Sequence, residues 1–363
     1  MKRYLTPLIL LCLFPLSLLL IFMAKSNPTT LTALYSERFN QWVVEKLSQL
    51  TGILPFSLFE WLIYFLILMI LGYFGLTLYQ VAMYPKTWWS IIGRFFLHLL
   101  SFASLLYFLF TILWGLNYYK TPLEETLQLN LSPRSVEELA LLYDYLINQT
   151  NETRTQVFEN EDGVFTINET VSEIFKRAPL GYATAATTYP FLGGDYGLPK
   201  AVFLSDLMSY TNITGIYSPF TAEANVNVSV PKSTLLFTTM HEMAHQRGFA
   251  SENEANFIAY LTCIAHPDVD FQYSGYLNAL NYVNRALALV DRETLITLNE
   301  KLSDGVRRDL NDQRDYWKQY EGKVEETFTQ MNQTYLKLNG VNDGVQSYGR
   351  VVDLLLAYYE PIN

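Results

Sequence analysis

Thr238-Thr239-Met240-His241-Glu242-Met243-Ala244-His245-Gln246-Arg247-Gly248-Phe249 is the stretch that decides how the soluble part of this chain is read. It contains His-Glu-x-x-His, and the chain has only four histidines. Chance would place that pattern somewhere in such a chain on the order of a few times in a thousand. Ser233 follows Pro231 at an N-cap position and Gly248 stands at a helix-stop position, so one helix is expected to carry the motif. Residues four apart on a helix lie about 40° off a common face, so both imidazoles can reach one metal ion. Zinc suits the pair, because it takes neutral imidazole at about 2.0–2.1 Å and keeps an open tetrahedral position for water. Glu242 lies about 100° round the helix from His241, beside the metal rather than on it. There it can take a proton from metal-activated water and later deliver it to a leaving amine. Leu235, Leu236, Met240 and Ala244 make one apolar face, so the helix would exist without zinc.

Outward from this segment the composition changes character. The chain has 363 residues, 50% hydrophobic and 17% charged, and the usual charged share is about a quarter. Part of it therefore avoids water. Residues 1–120 hold eight Lys/Arg and three Glu, while the remainder holds 17 Lys/Arg against 32 Asp/Glu. An acidic second part without a basic stripe repels phosphates, which excludes nucleic acid as a partner. The two cysteines, Cys12 and Cys263, exclude a disulfide framework and a CxxC zinc site. Three uncharged runs, at about 4–24, 61–84 and 95–119, predict three transmembrane helices. The first is too long an apolar run for a cleaved signal peptide, and two more follow it. Lys2, Arg3, Lys86 and Arg94 mark the cytoplasmic side, so the amino terminus is expected inside and everything after residue 120 outside. In the loop 25–54, Leu34, Phe39, Trp42, Val43 and Leu47 form an amphipathic stretch that reads equally as a membrane-surface helix or an ordinary connecting helix. His98, inside the third run, reads as a hydrogen-bonded residue rather than a proton relay.

Residues 121–363 read as one mostly helical domain on a short tether, Tyr119–Pro122. Ser135 heads a helix from Val136. Residues 182–230 hold glycines and prolines between β-favouring runs, Ala201–Leu204 and Ala224–Val230, and fit one small sheet. Helices return at about Ser233, with a long charged one over Leu302–Leu338 and a last one over Val345–Tyr359. The fold class is α+β: three amino-terminal membrane helices, then helices against one small sheet.

His241 to Phe249 resembles the active-site helix of zincin metallopeptidases. With Trp114–Tyr119, Thr221–Asn225 and Ser347–Asp353, the wider chain resembles a family of bacterial multi-pass membrane proteins that carry a zincin-like domain outside the membrane. The resemblance covers most of the chain, and only the HExxH part carries chemistry by analogy. It implies an edge strand before the helix that pairs with extended substrate, and Gly215 to Val230 fits, with Tyr217, Glu223, Asn225 and Asn227 near the cleft. A loop packed under the helix is an equal reading. It also implies an oxyanion partner, for which Tyr348 and Arg350 stand near the carboxyl end, although packing is the commoner fate of a tyrosine.

A catalytic zinc usually takes three protein ligands plus water. Metzincins supply the third from HExxHxxGxxH, but here Ser251 replaces that histidine, and His266 lies at the far end of the following helix. Ser251 and Glu254 have capping-box spacing, which gives Glu254 a structural job at the helix start. Glu252 is left free, four residues before Asn256 and on its face. Gluzincins are similar: a ligand Glu is followed four residues later by an Asp that supports a zinc-bound histidine. The resemblance thus implies Glu252 as third ligand, Glu254 as the alternative, and Asn256 behind a histidine, provided a tight turn at Gly248 folds the second helix straight back. The resulting expectation is a membrane-anchored zinc metallopeptidase acting on peptides or proteins at the membrane surface. A catalytically inactive envelope peptide-binding or structural module, and an amide hydrolase acting on cell-wall peptides, are the alternatives.

Overall fold

The computed structural model describes residues 2–338 and 350–359. Among the described residues three helices, Leu5–Ser26, Leu58–Met83 and Pro85–Leu113, are long and apolar enough to cross a membrane. The first is interrupted by a turn at Cys12, because Pro15 has no N–H to give to the carbonyl four residues back. Ser101 and Ser104 on the third helix donate to the carbonyls of Pro7 (3.0 Å) and Leu10 (2.8 Å) on the first, which ties the two together. The third helix begins and ends earlier than expected. Arg94 lies inside it, with Nε on the Ser90 carbonyl at 3.4 Å, rather than in a turn. A long arginine stem lets the charge sit near a helix end without breaking the helix. Gly115–Tyr119, expected at the end of the span, is instead a tight 3-10 turn. His98 pairs through Nδ1 with the Tyr73 hydroxyl at 2.8 Å.

Residues 25–56 do more than connect. Their helix Gln41–Gly52 buries Val44, Ser48 and Thr51 against the second part of the chain and leaves Trp42 and Leu50 outward. Ser48 Oγ accepts from Gly197 N (3.0 Å), and Thr51 donates to the Thr221 carbonyl (2.9 Å). The Tyr119–Pro122 link is therefore not the sole attachment between the two parts.

In the second part, Ser135 and Glu138 close a full capping box on Val136–Arg154. The sheet has strands β1 (Lys200–Ala201), β2 (Gly215–Ser218) and β3 (Glu223–Val226) in the order β1-β3-β2. β1 runs parallel to β3, and β2 runs antiparallel to it and forms an edge. The motif helix, Lys232–Gln246, packs beside this edge. Pro231 occupies its N-cap; Ser233 lies inside the helix with its hydroxyl accepting from Gln313, which corrects the expected cap. Leu235, Leu236, Met240 and Ala244 are fully buried, as the apolar face required. Helices Glu252–Ile264 and Val269–Val290 pack against it, with Val136–Arg154 and Val351–Tyr358 completing the core. The expected helix 302–338 is two, Asp304–Lys318 and Lys323–Leu338, broken at Gly322, whose φ of +153° suits only glycine. The class is α+β, as expected.

Candidate metal centre

Gly248, at φ +81°, turns the chain sharply after the motif helix, and the helix Glu252–Ile264 folds back beside it. The turn brings Glu252 onto the two histidines despite the short link. Its carboxylate lies 3.2 Å from His241 Nε2 and 3.7 Å from His245 Nε2. One donor atom from each of the three residues falls within 4.8 Å of the others, the spacing of a shared ion. Two imidazoles and a carboxylate are a donor set that suits zinc. The imidazole rings stand nearly perpendicular, 4.6 Å apart.

The surroundings fix which atoms are available. His245 Nδ1 sits 2.7 Å from the Phe249 carbonyl, so it carries the proton and leaves Nε2 bare. Burial pushes the His245 imidazole down to about 4, so it stays neutral. Burial opposes charge on Glu252 too, but the hydrogen bond from His241 and the nearby imidazoles hold its carboxyl below the usual range. Neutral imidazole and ionised carboxylate are the forms that bind metal. His241 Nδ1 is buried without a partner, and so is Asn256 Nδ2. Asn256 lies within hydrogen-bonding reach of His241, while its Oδ1 accepts from Tyr282 at 3.0 Å. With the His241 proton moved from Nε2, where it meets Glu252, to Nδ1, a half-turn of the amide satisfies both orphans: Oδ1 takes the His241 N–H and Nδ2 donates to the tyrosine oxygen.

Glu242 is buried beside the ligands, and its Oε2 has no partner. Burial raises its carboxyl to about 8. It fits because residue 215 is glycine: a Cβ there would lie 2.4 Å from Glu242 Oε1. The backbone N–H of Tyr217, on the same strand, faces the carboxylate.

Glu254 turns elsewhere. Its Oε1 accepts from Leu123 N at 2.7 Å, and the side chain of Ser251 caps nothing. The expected capping box is thus replaced by a bond to the linker, since the helix start packs against residues 120–123. Of the four cleft residues expected from sequence, only Tyr217 stands beside the centre, under Trp114 at 4.7 Å between rings. Glu223 accepts from the N–H groups of Leu58 (3.1 Å) and Phe59 (2.8 Å) and so caps the second apolar helix. Asn225 donates to the carbonyls of Ile216 and Glu223, and Asn227 to Ser209 and Ile213. Those three are buried structural groups, which corrects their assignment to substrate. Arg350 is exposed at the head of the last helix, beside Asp353. Tyr348 lies outside the described residues.

The structure adds residues that sequence reasoning missed. Trp114 stands edge-on to His245 at 5.7 Å, and Tyr118 bonds Tyr335 at 3.1 Å, both hydroxyls within the field of Glu252. The wall of the site thus comes partly from the turn that ends the third apolar helix. The only signal for it was the Trp114–Tyr119 segment, which by itself carries no chemistry.

No curated protein and no solved structure matches the chain. A family described as a protein of unknown function, DUF3810, matches residues 35–356, which takes in the second and third apolar helices and the whole metal centre. The chain belongs to the DUF3810 family.

Proposed function

We propose that this protein is a membrane-anchored zinc metallopeptidase with a zincin-like catalytic part, hydrolysing peptide bonds at the membrane surface. The observation that carries the reading is the convergence of His241, His245 and Glu252 within 4.8 Å, with the unpartnered Glu242 oxygen alongside. In this reading those three residues hold one zinc ion, and Glu254 does not. Bound zinc supplies a Lewis acid and lowers the pKa of water to about 7. Beside a bound dication the buried Glu242 carboxyl would fall from its raised value and ionise, so that Oε2 would accept the proton of the attacking water and return it to the leaving nitrogen. Asn256, with its amide turned, holds the proton on His241 Nδ1, and the Phe249 carbonyl does the same for His245. The ladder register turns Gly215 and Tyr217 away from β3; with the Tyr217 N–H held by Glu242, the N–H and C=O of Gly215 and the C=O of Tyr217 are the edge groups of β2 that can pair with an extended peptide.

Residues 1–120 are taken as the membrane part and 121–363 as the catalytic part. The basic residues Lys2, Arg3, Lys86 and Arg94 support a cytoplasmic amino terminus with the candidate metal centre outside. Reporter fusions at about residue 87 and after residue 120 test this, and the reverse pattern of signals overturns it.

The decisive experiment measures zinc content and hydrolysis of a peptide panel, with cell-wall peptides included, for detergent-purified wild type, Glu242→Gln and Glu252→Gln. Glu252→Gln should lose zinc. Glu242→Gln should keep it and lose at least about a hundredfold in rate, the lower bound for general-base catalysis. Zinc without turnover in the wild type would favour the peptide-binding module, and turnover confined to cell-wall peptides the amide hydrolase.

A further inference from the structure

Two segments on the outside of this protein are patterned inside out. In the short helix Ser205–Ser209, Ser205 and Ser209 are buried and hydrogen-bonded to the domain. The large apolar residues around it face outward: Phe203 is 82% exposed and Leu207 60%, with Leu204 also exposed. In residues 34–56, Asn40, Ser48 and Thr51 are buried, with Val44 beside them, while Leu34, Phe39, Trp42, Leu50, Ile53 and Phe56 are exposed, interspersed with the exposed charges of Glu37, Arg38 and Lys46. A water-facing surface has the opposite arrangement. Contiguous exposed apolar patches mark protein or membrane contact.

Hydrogen bonds fix the height of both segments against the apolar helices. Tyr35 donates to the carbonyl of Ile112 (3.1 Å) and Asn40 to that of Leu113 (2.7 Å), at the end of the third helix. Lys200 holds the carbonyls of Gly52 and Leu54 just before the second helix. Residues 28–52 therefore run from the exit of the first helix, past the exit of the third, to the entry of the second, along the level where all three meet the interface. Glu60, in the first turn of the second helix, accepts from Phe203 N (2.7 Å) and Leu204 N (3.0 Å). One helical turn rises about 5.4 Å, so Phe203 lies at the level of that helix's entry. The same level carries Phe56, Trp61 and Tyr64, in mutual ring contact as an aromatic belt.

We propose that residues 203–207, together with the outward face of residues 34–56, form an apolar collar that dips into the headgroup and acyl boundary of the lipid leaflet around the second helix, seating the metal-bearing part on the bilayer. The occupant is lipid because the collar is continuous with the helices that cross the membrane and is pinned at their interfacial turns. The inference uses the spanning assignment and does not depend on any chemistry at the metal centre.

The test places an environment-sensitive NBD label on Phe203→Cys and on Leu207→Cys in a Cys12→Ser background, with the full chain in lipid nanodiscs; Cys263 is buried. The control is Asp162→Cys, in the exposed turn after Asn160. Labels at 203 and 207 should emit at shorter wavelength than the control. Nitroxide carried near the headgroup end of the lipid chains should quench them at least about twofold more than the control, and aqueous iodide should quench them less. Equal lipid quenching at 203, 207 and 162 overturns the proposal. So does a label shielded from both quenchers, which would mean that a protein surface, a second copy included, covers the collar. Measuring zinc on the same preparations separates this outcome from failure of the metal reading.

Discussion

Replacing Gly215 by alanine puts the assigned role of Glu242 under direct strain. A Cβ at residue 215 would lie 2.4 Å from Glu242 Oε1, 2.5 Å from Cγ and 2.6 Å from Cδ. Comfortable carbon contacts begin at about 3.5 Å, so strand and side chain must part by about 1 Å. The backbone of residue 215 does not need glycine for its own conformation, because its φ is not in the left-handed region. The clash therefore falls first on Glu242, which supplies the three nearest atoms. A 1 Å misplacement of a reacting group can cost about a hundredfold in rate, and overpacking costs about 1–3 kcal/mol in stability. Gly215→Ala should keep its zinc, unfold at a slightly lower temperature and lose about a hundredfold in kcat/KM. The shorter acid of Glu242→Asp withdraws from the new methyl group, so Gly215→Ala with Glu242→Asp should be no worse than Glu242→Asp alone, the non-additivity expected of residues in contact. Metal content, thermal unfolding and peptide turnover on the four proteins make the assay. A Gly215→Ala protein with wild-type turnover and a full complement of zinc would refute the argument that Glu242 acts from its place against β2.

Four other outcomes are expected. Glu254→Gln should bind zinc as the wild type does and yet be less stable, because it weakens the bond to Leu123 N; equilibrium zinc affinity and thermal unfolding check both halves. Glu223→Ala should cost about 2–3 kcal/mol, since charged hydrogen bonds to the N–H groups of Leu58 and Phe59 are lost at a helix amino terminus, and limited proteolysis near residue 57 should quicken. Asp309→Ala takes the buried partner from Arg154 Nε (2.7 Å) and from Phe165 N (2.7 Å), leaving the guanidinium only Glu159 and the Gly163 carbonyl, and should destabilise by about 3 kcal/mol in denaturant unfolding. His266 gives a pH dependence. Burial holds its imidazole below the ordinary value, against the pull of the Arg177 carbonyl, which accepts from Nε2, and of Asp268 and Asp270; Nδ1 accepts from Asp268 N, a bond only the unprotonated nitrogen can make. The fold therefore prefers the neutral form: its contribution is complete above about pH 6.5 and is lost as pH falls toward the folded-state value. The stability advantage of wild type over His266→Gln should shrink between pH 7.5 and 5.5.

What could be read in the sequence was local. His241, Glu242 and His245 lie within one and a half turns of helix, so their juxtaposition follows from helical geometry alone. The three apolar helices follow from run length. Glu252 was within reach of reasoning because only a single turn at Gly248 separates it from the motif. The failures came where a short pattern had two partners to choose from. Ser251 and Glu254 have the spacing of a capping box, but Leu123, 131 residues away, offers an amide to Glu254 that no local rule could foresee. Glu223 and Asn227 looked like polar groups beside a cleft; what they meet is a helix entry and a serine from other parts of the chain.

Those same long-range bonds explain why the metal centre and the apolar helices form one construction. Glu223 leaves the sheet to cap the second helix, and Glu60 leaves that helix to hold the loop after β1. β1 and β2 flank β3, and β2 in turn carries Gly215, against which Glu242 is packed. At the other side, Asn117 in the turn after the third helix donates to Asn40 at 3.0 Å, close to Gly248, while Trp114 in that turn touches both Tyr217 and His245. Glu242 and His245 are thus each positioned through groups that begin or end an apolar helix. A fragment cut free at residue 121 would lose the N–H partners of Glu223 and the Trp114 contacts with Tyr217 and His245. Such a fragment should bind zinc poorly even with all three ligands present, and equilibrium dialysis of residues 121–363 against the full chain tests this: equal affinity would mean that the apolar helices only tether the site and do not build it.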